Sequence, residues 1–167
     1  MEIRAAVPED IDEVVALVES AYRGEGSRAG WTTEADLLDG QRTDLEEVRS
    51  VLPWLLVARS DGELIGCCVL EERGDHGYFG MFAVRPGLQG SGTGSALLDA
   101  AETRARAAGL HRVEMTVLAS RTELIGFYLR RGYVKTGKTK PFPYGEKRFG
   151  RPKVDGLEFA VLVKALS

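Results

Sequence analysis

Cysteine, histidine and long apolar runs are nearly missing from this chain. Its 167 residues hold two cysteines and two histidines. The cysteines are neighbours, Cys67 and Cys68. Adjacent strand residues point to opposite faces, which argues against a bridge between them. The expectation is one core thiol and one half-exposed thiol, in a protein that does not rely on disulfides. No apolar run approaches the length of a membrane span, and Met1-Glu2-Ile3-Arg4 lacks the basic-then-apolar order of a signal peptide. Neither sign of charge dominates: 22 Lys and Arg face 25 Asp and Glu, for a formal charge of −3. That balance argues against nucleic acid or a membrane surface as partner. No linker, repeat or low-complexity run divides the chain. Residues 1–167 therefore read as a single soluble domain, expected in the cytoplasm.

Glycine, in contrast, is abundant, with 20 residues. Its most informative cluster lies in Val84-Arg85-Pro86-Gly87-Leu88-Gln89-Gly90-Ser91-Gly92-Thr93-Gly94-Ser95. This stretch reads as a strand end, a glycine-rich turn and a helix start. The amides of a first helical turn lack intrahelical partners, and the helix dipole adds partial positive charge there. Gly90, Gly92 and Gly94 leave the backbone open to a ligand. The expected occupant is a phosphate group. No Lys follows Gly94, so the P-loop pattern fails. Position 95 is Ser where a dinucleotide fingerprint needs Gly. Gln89, Gly92 and Gly94 do satisfy Gln-x-x-Gly-x-Gly.

A second motif follows about one helix and one strand later: Phe127-Tyr128-Leu129-Arg130-Arg131-Gly132-Tyr133. In this order and spacing the two motifs resemble the acetyl-CoA signature and the Phe-Tyr-x-x-x-Gly-Phe element of the GNAT N-acetyltransferases. The resemblance covers nearly the whole chain. It implies an α/β fold, a mixed, mostly antiparallel sheet of about seven strands flanked by about four helices, in the order β-α-α-β-β-β-α-β-α-β-β. It implies acetyl-CoA as co-substrate, no metal, and an amine acceptor that is a small molecule or a peptide. A homodimer through the sheet edge or terminal strands is common in the family and stays open here.

Periodicity along the chain fits that order. Glu2 to Ala6 reads as a strand, and Ile11, Val14, Val15, Leu17 and Val18 as the stripe of a helix ending near Tyr22. A capping box at Thr33 and Asp36 predicts a short helix over residues 35–38, and Asp44 caps another. Trp54 to Arg59, Glu63 to Leu70 and Tyr78 to Val84 read as a meander turning at Asp61-Gly62 and Gly74-Asp75-His76-Gly77. A helix from Gly92 to Ala108 stops at Gly109. Arg112 to Leu118, Thr122 to Arg131, Tyr133 to Thr136 and Leu157 to Leu166 follow as strand, helix and two strands.

The resemblance also assigns roles. The strand ending in Phe82, Ala83 and Val84 would pair with the pantetheine arm, and the amides of Gln89, Gly90, Ser91, Gly92, Thr93, Gly94 and Ser95 would hold the pyrophosphate. Tyr128 matches the family's tyrosine beside the sulfur, a general acid that is protonated at neutral pH. Two departures stand out: Arg121 replaces a common Asn and Leu124 a common small residue. Arg121 is a candidate for a cofactor phosphate or an acidic acceptor. Glu114 shares a strand face with Thr116 and is the candidate base, against a plain solvated charge. His76, in a turn, and His111 read as exposed. Tyr22, Trp31, Glu34, Phe142 and Tyr144 are candidate acceptor contacts, with Glu34 suited to an ammonium. Nine bases and one acid, Glu146, fall between residues 130 and 153. That basic segment is either a solvated face or an attraction for anions.

Overall fold

The computed structural model describes residues 1–22, 38–39, 44–88, 90–141, 151–152 and 158–166. Nine strands and four α-helices are present among them: β1 Glu2–Ala5, α1 Ile11–Tyr22, β2 Leu38–Asp39, α2 Leu45–Val51, β3 Leu55–Ser60, β4 Glu63–Arg73, β5 His76–Val84, α3 Thr93–Ala107, β6 Arg112–Leu118, α4 Thr122–Leu129, β7 Val134–Pro141, β8 Arg151–Pro152 and β9 Glu158–Ala165. Seven strands form one sheet in the order β1-β3-β4-β5-β6-β9-β7, and β2 pairs with β8 apart from it. Within the main sheet only β5 and β6 run parallel.

Strand alternation sorts the apolar side chains into two layers. Leu55, Val57, Cys67, Val69, Met81 and Ala83 face α1 and α2, where Val14, Leu17, Val18 and Val48 meet them. Leu56, Cys68, Leu70, Phe79, Phe82, Val113, Met115 and Leu162 face α3 and α4, against Leu97, Leu98, Ala101, Leu124 and Tyr128. The central strand β4 is thus buried on both sides, and both cysteines are core residues. The expected half-exposed thiol does not exist, because helices cover β4 front and back.

Charged groups fix the ends of these layers. Asp10 is buried and accepts from Arg4 at 2.8 and 3.1 Å, from Arg59 at 2.8 Å and from the Val7 amide at 2.8 Å. The Arg4 guanidinium, foremost, holds its carboxyl far below the usual carboxylate range. Glu102 is the acid in the buried stripe of α3. It accepts from the Tyr133 hydroxyl and from Lys164 Nζ, each at 2.9 Å, which ties α3 to β9. Burial, and then that carboxylate, push the Tyr133 phenol far above its ordinary pKa.

Several boundaries differ from the sequence expectations, and β4 runs to Arg73, three residues past Leu70. Leu38 lies in β2, not in a helix, while residues 35–37 lie outside the described residues. His76 begins β5 instead of sitting in the turn. Helix α4 ends at Leu129, before the expected Arg131. Strand β7 runs to Pro141, five residues past Thr136. Its register shifts between Lys135 and Thr139, around Gly137 with φ +83°, so a bulge absorbs the irregularity and the strand resumes. Pro141 ends β7, an edge strand, the kind of strand in which proline is tolerated.

Candidate functional site

The site starts from a fault in the sheet. Strands β5 and β6 pair only through His76–Arg112, Gly77–Val113 and Tyr78–Glu114. Beyond Tyr78 the parallel ladder stops, although β5 continues to Val84 and β6 to Leu118. The cause lies on the other side of β5. Cys67 pairs with Ala83 and Val69 with Gly80, so Met81 and Phe82 together oppose Cys68. This is a β-bulge, which bends its strand and increases local twist. Met81 carries φ +46°, a conformation uncommon for a side chain of its size. The Cys67 thiol donates to the Met81 carbonyl at 3.4 Å. Bending swings the end of β5 away from β6 and opens a wedge at the carboxyl ends of both strands, the usual ligand site of parallel strands.

One wall of the wedge is the glycine-rich turn. Arg85 donates its amide to the Ile65 carbonyl, Leu88 to Arg85 and Ser91 to Leu88. Gly92, at φ +95°, caps α3, and the first helical bond is Ala96 to Gly92 at 3.0 Å. The amides of Thr93, Gly94 and Ser95 therefore have no partner within the helix. The glycines serve two different ends. At Gly90 and Gly92 a Cβ would meet nothing within 4 Å, but both have positive φ. Their role is the backbone path together with an open surface. At Gly94 a Cβ would come 3.0 Å from Phe82 Cζ and 3.6 Å from Phe127 Cζ. Gly94 thus lets the head of α3 pack closely on two aromatic rings. Thr93 is buried, with Ser91 Oγ 3.1 Å from its hydroxyl. Ser95 is half-buried and accepts from Arg131, at 3.0 Å from Nε and also from Nη2. Gln89 lies outside the described residues.

The second wall is α4. Tyr128 is 3% exposed. Its ring lies edge-on to Phe127, Tyr133 and Phe79, with centroids at 5.3, 6.0 and 6.3 Å, and tilted 6.2 Å from Phe82. Phe79 and Phe82 belong to the part of β5 beyond the parallel ladder, so this cage packs Tyr128 against that part of the strand. Arg121, also buried, occupies the N-cap position of α4, just beyond the end of β6.

Glu114 sits at the opposite, closed end. His76 Nε2 is 2.8 Å from its carboxylate and Arg112 Nε 3.5 Å. Asp75 joins them, 2.9 Å from Arg112 and 3.1 Å from His76 Nδ1. The hydrogen bond to His76, then Arg112, brings the Asp75 carboxyl down to about 2. His76 consequently lies within hydrogen-bonding distance of both carboxylates and is not a free turn residue. Glu114 and Thr116 do share a face, and the Thr116 hydroxyl is 2.6 Å from that of Tyr78, just past the last paired residues. Tyr22 ends α1. Trp31, Glu34, Phe142 and Tyr144 lie outside the described residues.

Three participants escaped the sequence reading. Met81 carries no sequence signal for its left-handed backbone. The Tyr78–Thr116 contact depends on strand register. The link from Arg131 to Ser95 joins the two motifs, but nothing in either motif announces it.

Comparison with known proteins follows this geometry. Residues 11–133 match the model of the acetyltransferase (GNAT) family. The chain is 32% identical over 138 residues to the IAA acetyltransferase of Azospirillum brasilense, covering 80% of this chain and 84% of that one. Among solved structures, Ard1 from Thermoplasma volcanium superposes with a TM-score of 0.74 at 20% identity, covering 99% and 97% of the two chains. N-acetylglutamate synthase from Neisseria gonorrhoeae, complexed with coenzyme A and N-acetyl-glutamate, gives a TM-score of 0.70 at 22% identity. It covers 99% of this chain, which spans about a third (35%) of that longer one.

Proposed function

The chain belongs to the GNAT acetyltransferase family and is an acetyl-CoA-dependent N-acetyltransferase, and from that premise we propose that it acetylates the primary amine of a small, amino-acid-like acceptor within a ternary complex. The observation that carries this reading is the wedge between β5 and β6, flanked by the glycine turn and by Tyr128. Residues Phe82, Ala83 and Val84 line its β5 side and would accompany the pantetheine arm as an added strand would. The turn from Gln89 to Ser95 would receive the pyrophosphate on amides that a helix start leaves unused. Arg121, at the carboxyl end of β6, adds positive charge to the same open end.

The chemistry asks little more of the protein. A neutral amine nitrogen attacks the thioester carbon, and the carbonyl oxygen takes up negative charge that backbone amides near the bulge stabilise. When the carbon–sulfur bond breaks, Tyr128 gives its proton to the thiolate and recovers one from solvent. The extra proton of the amine leaves to water. Glu114 is engaged by His76 and Arg112, so we assign it to holding the closed end. Acceptor contacts fall to Tyr22, Trp31, Glu34, Phe142 and Tyr144. The acetylated amino acid bound by the gonococcal synthase, a protein of similar fold, supports the amino-acid-like class.

The test is thiol release from acetyl-CoA across amino acids, other small amines, polyamines and short peptides. Saturable turnover with an amino-acid-like amine is the expected result. Turnover with peptides alone would replace the acceptor class, and tight binding without turnover across the panel would favour a sensor.

A further inference from the structure

We propose that Arg131 is a positioning residue that makes the glycine cradle selective for a phosphorylated acyl donor. The inference rests on the donor site described above and concerns a residue outside the turn itself. Arg131 follows α4 and reaches back across the wedge to α3. Its Nη1 donates to the Phe127 carbonyl at 3.0 Å, and its Nε and Nη2 both donate to Ser95 Oγ. The guanidinium carbon lies 3.7 Å over the Phe127 ring. Among the described residues, every one of these partners is neutral: a hydroxyl, a carbonyl and a ring.

This placement is electrostatically wrong for an empty helix. The N-terminus of α3 already carries partial positive charge, and a cation beside it is repelled. Several other arginines meet carboxylates, as Arg59 meets Asp10 and Glu13, and Arg85 meets Glu63, while Arg104 donates to the Pro53 carbonyl. Arg131 is fixed to the first turn, and among the described residues no acid stands opposite it. An anion seated on the amides of Thr93, Gly94 and Ser95 turns that repulsion into attraction.

Ser95 gains a direction from the same contact. A serine hydroxyl has two acceptor lone pairs and one proton. The guanidinium occupies both lone pairs, so the proton remains for donation. A guanidinium has five N–H groups, and three are used in these bonds. Arg131 therefore supplies charge, orients a hydroxyl donor and keeps further N–H groups at the edge of the cradle. All of these act on phosphate, and none acts on the pantetheine arm.

The experiment compares Kd for CoA and for pantetheine, which lacks the phosphates, by calorimetry on the full chain. The variants are Arg131→Met, Arg131→Lys and Ser95→Ala, with thermal unfolding of each as a control. Arg131→Met is expected to weaken CoA binding about tenfold or more, the scale of one charge-assisted hydrogen bond. Pantetheine binding should stay within twofold, and the salt dependence of CoA binding should flatten. Arg131→Lys should restore part of the CoA affinity, and Ser95→Ala should reproduce the selective loss with a smaller amplitude. Equal weakening of both ligands, or no weakening of CoA in Arg131→Met and Ser95→Ala, overturns the proposal while leaving the donor site intact. A wild-type chain that binds neither ligand overturns the donor-site reading and this inference with it.

Discussion

The two ends of the β5–β6 pair are built from the same strands and behave oppositely. At the closed end, three backbone pairs and the Asp75–His76–Arg112–Glu114 cluster hold the strands together. At the open end, a bulge at Met81 turns β5 outward, and aromatic rings instead of ladder bonds line the gap. The contrast teaches that the proposed binding wedge is a sheet whose pairing is interrupted at one residue. Polar side chains are spent where the strands already meet. Where they part, the proposed ligand would meet backbone groups and the caged Tyr128.

That contrast can be broken from either side. The largest effect is expected from Tyr128→Phe, which keeps the cage and removes the proton. Turnover should fall by about 10²–10⁴ with thermal stability nearly unchanged, measured by steady-state kinetics. Next, Gly92→Asp places a negative charge on the cradle and a side chain at φ +95°. Donor affinity should drop by roughly 10–100-fold, the scale of one or two lost charge-assisted hydrogen bonds, read by calorimetry with CoA. Gly94→Ala attacks the packing side of the same turn. Its Cβ must displace Phe82, so a loss of about 1–3 kcal/mol in chemical denaturation is expected, together with weaker donor binding.

The closed end should answer with much smaller changes. Glu114→Gln is expected to cost less than about 1 kcal/mol, as partly exposed ion pairs do, and to leave kcat within about threefold. A hundredfold fall in kcat would instead make Glu114 the base and erase the distinction between the two ends. The Asp75 carboxyl sharpens the same point through pH. Its folded pKa lies below its unfolded value, so its contribution to stability is present above the ordinary carboxylate range and is lost as pH falls toward about 2. A carboxyl titration followed by NMR should show the depressed midpoint, and His76→Ala should raise it.

Much of this architecture was legible in the chain. Ile11, Val14, Leu17 and Val18 do form the buried stripe of α1, Asp44 does cap α2 by accepting from the Glu47 amide at 2.8 Å, and Gly109 and Gly132 do take positive φ after their helices. These are local signals, written within a few residues. The resemblance marked the strand end at Phe82, Ala83 and Val84, beside the wedge. The physical origin of the wedge, the bulge, depends on how Cys67 and Val69 register against Ala83 and Gly80, and strand sequences do not state register across a turn. His76 departs from the turn expectation for a similar reason: its partner Glu114 is 38 positions away and is delivered by the parallel pairing. Reach across helices hid the Arg131–Ser95 contact as well. The extension of β7 turned on Gly137, which reads as a terminator until a bulge rescues the strand.

Cys67 and Cys68 give the molecule a built-in pair of clocks. One thiol faces the α1–α2 layer and its neighbour the α3–α4 layer, one residue apart on the strand they share. Burial pushes the Cys68 thiol well up, so a thiol reagent meets it only when its own layer lifts. Alkylation rates at the two positions therefore time the opening of the two sides of the sheet separately. A ligand that bridges α3 and α4 should slow the Cys68 clock and leave the Cys67 clock running.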